Sequence, residues 1–404
     1  MLARIRPLLF GLLTGIAPAL AQDFPDGAGR ELVVANCGGC HDINRLKVGY
    51  TPDGWRTVER MMRNMEVVVT DAQWPIVTDY LTTKLPERAR PPAVIVPGPV
   101  EANIKVWPVP TPGSRPHDPL ATKDGMLWWT GQLANRLGRL DPKTGAMKEF
   151  VLSTPHSGPH GLTEDGQGNI WFTGNNLGFI GKLDPMSGAV TEYKLPPPGA
   201  KDPHTLIFDR DGILWFTAQQ ANIIGRLDPR TSDIKLLPMP TANSRPYGMA
   251  LSSKNEVFVV LFGTNKVARI SGAGTEIKEY TLPAAEARPR RIAMSPDDMV
   301  WYTDFRRGFL GRLNPATGEV KEWPSPSGPK SEPYAVVFTK GALWYSETAA
   351  KPNTIVRFDP KTEKFQSWAV PGGGDIIRNM DVNPDGNPVL AHSLTNEVGL
   401  VEIK

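Results

Sequence analysis

A unit of about 43 residues recurs along most of this chain, and no other feature restricts its fold as much. The clearest copy, residues 160–196, reads HGLTEDGQGNIWFTGNNLGFIGKLDPMSGAVTEYKLP. With Trp171 as marker, the counterparts are Trp128, Trp215, Phe258, Trp301, Trp344 and Val389, at successive spacings of 43, 44, 43, 43, 43 and 45 residues. That period is too long for a leucine-rich repeat. It is too rich in Gly, Pro, Thr and aromatic residues for helical HEAT or armadillo units, and it predicts one four-stranded sheet per repeat.

Within the unit, residues 160–163 are expected as the inner strand, DGQGN as a turn, and residues 170–174, 179–183 and 189–195 as the remaining strands. Alternation in IGKLD and VTEYKL and punctuation by Gly and Pro favour strands over helices. Seven inner hairpins are present, but the last repeat ends in GLVEIK after its third strand. Residues 104–108, IKVWP, match VKEWP at 320–324 and supply the missing edge. A ring closed in this way leaves no open sheet edge, so residues 103–404 are expected to form a seven-bladed β-propeller.

Residues 1–21 combine Arg4 and Arg6, an apolar run from Leu8 to Ile16, and the small-residue ending Ala19-Leu20-Ala21. The run is too short to span a membrane and fits an export signal cleaved before Gln22, which implies a periplasmic protein with no membrane span after cleavage. A formal charge of +3, or +1 without the two signal arginines, gives no nucleic-acid footprint.

The two cysteines, Cys37 and Cys40, lie in the string CGGCH with His41. This spacing predicts covalent attachment of one haem c, with His41 as proximal iron ligand. Residues 29–36 read as a helix leading into the motif, and residues 24–85 resemble small class I cytochromes c. The resemblance implies a distal methionine: Met61 by similarity to W-x-x-x-V-x-x-M, with Met65 or Met62 as alternatives. The fold class expected is therefore multidomain, a small all-α cytochrome c domain at 22–85 followed by the all-β propeller. A proline-rich linker, 86–102, is expected between them as a semi-rigid spacer.

Eleven residues before the markers stand His117, His160, His204, Tyr247, Arg290 and Arg378, with Tyr334 one residue closer to its own. Three residues after the markers stand Gly131, Gly174, Ala218, Leu261, Asp304, Glu347 and His392. With the turn near Gln167, His160 is expected opposite Gly174, so both sets should occupy one channel mouth. Such a rim suits an anionic or polar ligand through its Arg, Tyr and His groups, or a divalent cation through its carboxylates and imidazoles. His156 is read as a loop residue.

The repeat form PHG-[LIV]-T…DG…[LI]-WFT…IG-[RK]-[LI]-D-P…EY-x-LP resembles the virginiamycin B lyase (streptogramin lyase) family over residues 103–404. The resemblance implies a seven-bladed propeller in which a His at an inner-strand start acts as base and acidic groups hold Mg²⁺, to eliminate across the ester link of a cyclic peptide. The family pattern has E-P-H followed by Glu in WFTE. Here Asp202-Pro203-His204 is followed by Ala218, and Glu332-Pro333-Tyr334 by Glu347, so His204, Glu332 and Glu347 are the candidate catalytic set drawn from two blades.

Three functions are consistent with these features. The first is an exported haem c protein that exchanges electrons with a periplasmic donor or acceptor, its propeller binding a small molecule or partner or hosting an oxidation. The second is a Mg²⁺-dependent lyase of the virginiamycin B type, acting on a cyclic peptide, with the haem segment as accessory. The third is a non-catalytic recognition propeller.

Overall fold

The computed structural model describes residues 24–38, 42–197, 201–271 and 276–404. Each consensus position of the repeat has a mechanical task. In the second blade Asp165 accepts hydrogen bonds from the N–H groups of Gln167 and Asn169 and from Trp171 Nε1, at 2.8, 2.9 and 2.9 Å. One carboxylate therefore fixes both the turn and the marker indole. Asp209 holds Trp215 Nε1 at 2.7 Å in the next blade, and Ser295 holds that of Trp301 at 3.1 Å. The glycine of the third strand makes room for a ring on the second: Gly181 lies opposite Phe172, and a Cβ there would sit 2.2 Å from that ring. Gly138 under Trp129 and Gly225 under Phe216 would each suffer an approach of 2.0 Å. Close backbone approach, rather than an unusual φ, explains the G of IG-[RK]-L.

The hairpins form seven four-stranded antiparallel sheets. Inner strands begin at Pro116, Pro159, Pro203, Pro246, Pro289, Pro333 and Ile377. Neighbouring sheets bury the marker aromatics between them: Trp171 packs with Leu206, Leu214 and Phe216, and Trp301 with Val336, Leu343 and Tyr345. Burying a side chain of this size contributes roughly 2–3 kcal/mol. Blade seven is completed from the other end of the chain, where Ala102–Pro108 runs antiparallel to Glu397–Ile403 with Ile104 opposite Val401.

The segment preceding that closing strand is no free spacer. Ser367 exchanges bonds with Val94 O and with both the N–H and C=O of Val96, while the Gln366 amide bonds both backbone groups of Val100. Arg90 pairs with Asp375. Prolines keep the segment extended, and the sixth blade satisfies the backbone groups that remain.

The expected fold class is corrected. There are three short α-helices, α1 (Arg30–Cys37), α2 (Pro52–Asn64) and α3 (Trp74–Lys84), among the described residues, and they do not make a separate all-α cytochrome domain. The chain divides into a unit of residues 1–55 and 68–88 and a unit of residues 56–67 and 89–404, so α2 is cut between them. In the larger unit Asn64 donates to the carbonyls of Pro112 and Gly113, at 3.0 and 3.1 Å. A Cβ on Gly113, whose φ is +67°, would sit 2.7 Å from the backbone of Arg60 and Met61. This close seat draws the second half of α2 into the propeller's unit. Met61, buried, and Met62 and Met65, half-buried, go with it. In the smaller unit Trp55 donates its indole N–H to Leu85 O at 2.8 Å, and the Tyr80 hydroxyl donates to Pro25 O at 2.6 Å. No helix among the described residues is long and apolar enough to cross a membrane.

Candidate functional site

In blades one, two, three and five, the threonine at the end of the WFT motif ties one blade to the next. Thr130 Oγ1 donates to His160 O, Thr173 to His204 O and Thr217 to Tyr247 O, each at 3.0 Å, and Thr303 to Tyr334 O at 2.6 Å. The same hydroxyls accept the N–H groups of Asp118, Gly161, Thr205 and Arg291 at 2.8–3.3 Å. Every one of these threonines is fully buried, so both hydrogen-bonding capacities of the hydroxyl are used and the inner strands are held in register.

A row of rings results. His117 lies 3.8 Å from His160, His160 3.8 Å from His204, and His204 4.1 Å from Tyr247, centroid to centroid. The Tyr247 hydroxyl shares a hydrogen bond with that of Tyr334. Arg290 occupies the interval, its guanidinium 3.9 Å from the centre of Tyr334, 4.1 Å from Phe305, 4.6 Å from Phe262 and 5.4 Å from Tyr247. Arg378 Nε donates to Ser393 Oγ at 3.2 Å. Burial first, and then neighbouring charges, hold His117, His160 and His204 well below the usual imidazole range; Arg378 acts on His117, and Arg291 on all three. They are neutral bases at pH 7. Burial also raises Tyr334, but Arg290, Arg378 and Arg291 outweigh it and bring the phenol below its ordinary value. Its partner Tyr247 is raised, chiefly by burial and then by Tyr334.

Directly beyond the ring row lies a layer that counting by marker passed over. Arg291, 3% exposed, donates to Arg378 O at 3.1 Å, Thr205 Oγ1 at 3.1 Å and Asp118 Oδ1 at 3.2 Å. Asp118 also meets His117 Nδ1 at 2.8 Å and accepts from Asn379 at 3.0 Å. The available signal was a polar residue immediately after the counted position in PHD, PRR and IRN. This layer caps a cavity of about 300 Å³ whose other walls include Thr205, Met249, Phe338 and Asp381. His117, Asp118 and His160 offer ligand atoms within 4.8 Å of one another. The Arg291 guanidinium on the same carboxylate disfavours a cation there.

The second expected ring does not face the mouth. The residue opposite Gly174 is Pro159, not His160, and a register shift follows between Pro159 and Leu162. The same pairing sets Pro289 opposite Asp304 and Pro333 opposite Glu347. Adjacent residues of a strand point to opposite faces, so the acids share a face with the prolines. Asp304 is taken by Arg307 Nε at 2.6 Å, and Arg290 does not pair with it. Glu347 accepts from Ser325 Oγ and Ser327 N on one oxygen, at 2.7 and 2.8 Å, and from Ser327 Oγ and Thr354 Oγ1 on the other, at 2.5 and 2.6 Å. His392 Nδ1 is 3.4 Å from Glu397 Oε2. His156 lies in a loop, 3.3 Å from Glu66.

The virginiamycin B lyase family model matches residues 95–358. The chain belongs to the virginiamycin B lyase family. A streptogramin B lyase structure is 28% identical, with a TM-score of 0.69, and the match covers 75% of this chain and 98% of that one. Virginiamycin B lyase from Staphylococcus aureus is 24% identical and matches at a TM-score of 0.68, over 74% of this chain and 99% of that one. The hydrazine synthase of Kuenenia stuttgartiensis shares the fold at 14% identity and a TM-score of 0.59, over 72% of this chain and 95% of that one. No curated protein sequence matches the chain.

Within the family pattern, Glu332, Tyr334 and Glu347 stand where the lyase resemblance puts its base and acids. These residues do not fit a Mg²⁺ ion. Both Glu347 oxygens are saturated by hydroxyl and backbone donors, and the Tyr334 hydroxyl is engaged by Tyr247. Glu332 is raised by burial, against the opposing charges of Arg290, Arg90 and Arg378. His204 sits in the ring row, its Nδ1 3.1 Å from Thr205 Oγ1. No hydrogen bond or ion pair among the described residues joins His204, Glu332 and Glu347.

At the other motif, Cys37 is a half-buried free thiol at the end of α1, pushed by burial up to about 11. Cys40 and His41 lie outside the described residues, as does the expected signal segment, residues 1–21.

Proposed function

We propose that the propeller is a carbon–oxygen lyase of the virginiamycin B type in which Tyr334 does the work of the family's imidazole base. The observation that carries this reading is the setting of Tyr334, with Arg290 stacked 3.9 Å from its ring and the Tyr247 hydroxyl on its oxygen. A phenol at the family's base position, held low by cations, is matched to proton abstraction. The Tyr334 phenolate would take the proton from a carbon next to a carbonyl. The C–H electron pair then becomes the C=C bond, and the C–O bond on the neighbouring carbon breaks, releasing a carboxylate from an ester. The new Tyr334 phenol returns its proton to solvent, while Tyr247 steadies the phenolate by donating to it. Arg290 balances the negative charge that builds on the carbonyl oxygen. No step draws on a metal ion.

The test is elimination from cyclic depsipeptides and from simpler esters with a β-acyloxy carbonyl group, read by mass. Elimination opens a ring without change of mass, whereas hydrolysis adds one water. Tyr334→Phe should lower kcat by about 10²–10⁴-fold with little change in KM. Full activity in that variant, or a product carrying the added water, would sink this reading.

The CGGCH string supports a second inference: Cys37 and Cys40 bind one haem c covalently, with His41 on the iron, after export to the periplasm. Of these three residues, the described one is Cys37, a free thiol at the end of α1. Haem there would supply one-electron exchange with a periplasmic partner. Protein matured with a haem-attachment system should keep its visible absorbance through acid extraction, and a colourless product refutes the inference.

A further inference from the structure

We propose that Arg290 and Arg378 form a carboxylate seat at the channel mouth, so that the compound taken up there is an organic acid. The two cations stand on the blades either side of Tyr334, and neither makes an ion pair among the described residues. Arg290 Nε is buried without a hydrogen-bond partner, and Arg378 has the single bond to Ser393. The nearby acids are otherwise engaged: Asp118 by Arg291 and Asn379, Asp304 by Arg307. Glu332 makes no ion pair, and its burial favours the neutral form. The three histidines are neutral, and Tyr247 stays a phenol.

Even with Tyr334 as a phenolate, two guanidinium groups face one negative charge; cations withdrawn from water without full compensation are unfavourable, and an incoming anion relieves that cost. The Arg290 guanidinium lies over Tyr334 and Phe305 with its Nε unpartnered, and a guanidinium with open N–H groups can donate to a planar carboxylate. The walls offered by Phe262 and Phe305 suit the carbon skeleton of an organic acid better than a hydrated inorganic ion. Placed here, an acid group would lie beside the proposed base, which makes the lyase substrate a β-acyloxy carboxylate. That last step rests on the lyase reading; the binding does not.

Titration calorimetry of the whole protein with succinate and, separately, inorganic phosphate, at constant ionic strength, tests the seat. Saturable succinate binding is expected, weakened at least about tenfold by Arg290→Gln and by Arg378→Gln. Absence of binding, or wild-type affinity retained in either variant, overturns the proposal; phosphate binding more tightly than succinate overturns the carboxylate assignment. Should the variants fail to fold, the wild type still answers. Succinate should raise the pH at which the most acidic tyrosine ionises, read by tyrosinate absorbance, and this shift should vanish in Tyr334→Phe. A wild-type titration unmoved by succinate counts against the seat. Succinate binding together with undiminished turnover in Tyr334→Phe would retire the lyase reading and leave the seat standing.

Discussion

The guanidinium of Arg90 donates two parallel hydrogen bonds to the carboxylate of Asp375, at 2.8 and 2.9 Å, across 285 positions of sequence. Both side chains are mostly buried, and the pair fastens the start of the extended segment that leads to the closing strand. Bidentate geometry and partial burial lift such a pair above the usual surface value. Arg90→Ala is expected to cost about 1–3 kcal/mol and to speed amide exchange in residues 93–100. Exchange unchanged there would show that Ser367 and Gln366 hold the segment alone.

The imidazole row makes stability depend on pH. His117, His160 and His204 are depressed in the fold, so between their unfolded value near 6.5 and their lower folded values the unfolded chain binds more protons. Stability must then fall as pH drops below about 6.5, by up to about 1.4 kcal/mol per unit for each histidine. Asp381, raised by burial to about 6, works the other way as the pH falls below that value. Calorimetric melting from pH 7.5 to 5, roughly the range in which histidine titrates, should show little change above about 6.5 and a decline below it. His204→Phe keeps a ring in the row and should remove about a third of the slope.

The donors gathered on both oxygens of Glu347 make it a structural acid. Replacing it with Gln sets an amide N–H₂ against hydroxyl and backbone donors and should destabilise by about 1–3 kcal/mol. Replacement by Ala should cost more, about 3–5 kcal/mol, because it also strands Ser325, Ser327 and Thr354. Addition of Mg²⁺ or a chelator should leave the melting temperature of the wild type unchanged; a clear shift with Mg²⁺ would restore the metal reading.

Chains begun at two points test ring closure. One starting at Ala89 keeps Ala102–Pro108 and should still unfold in a single cooperative transition. One starting at Val109 exposes the Glu397–Ile403 edge and should aggregate or lose cooperativity, as light scattering and calorimetry would show.

The propeller was legible because its markers obey sequence period: Trp171, its Asp165 turn and Gly181 recur at fixed offsets, and each offset answers a steric or hydrogen-bonding need. The row of His117, His160, His204 and Tyr247 came from the same arithmetic. What arithmetic could not give was the one-residue register shift after Pro159, which turns Asp304 and Glu347 away from the mouth. Arg291 escaped notice because its partners, Asp118, Thr205 and the Arg378 carbonyl, come from three other blades. The all-α domain was misjudged at α2, whose helical pattern says nothing about whether Met61 packs with α3 or with the loop at Gly113.

The strand that seals the ring is among the first parts of the propeller to be synthesised, while its hydrogen-bonding partner, Glu397–Ile403, is among the last. Until that partner has been made, Ala102–Pro108 has nowhere native to go, and six sheets must wait as an open arc. Closure of the ring is thereby deferred until the last strand of the propeller exists, and for that interval these seven residues are an edge without its partner.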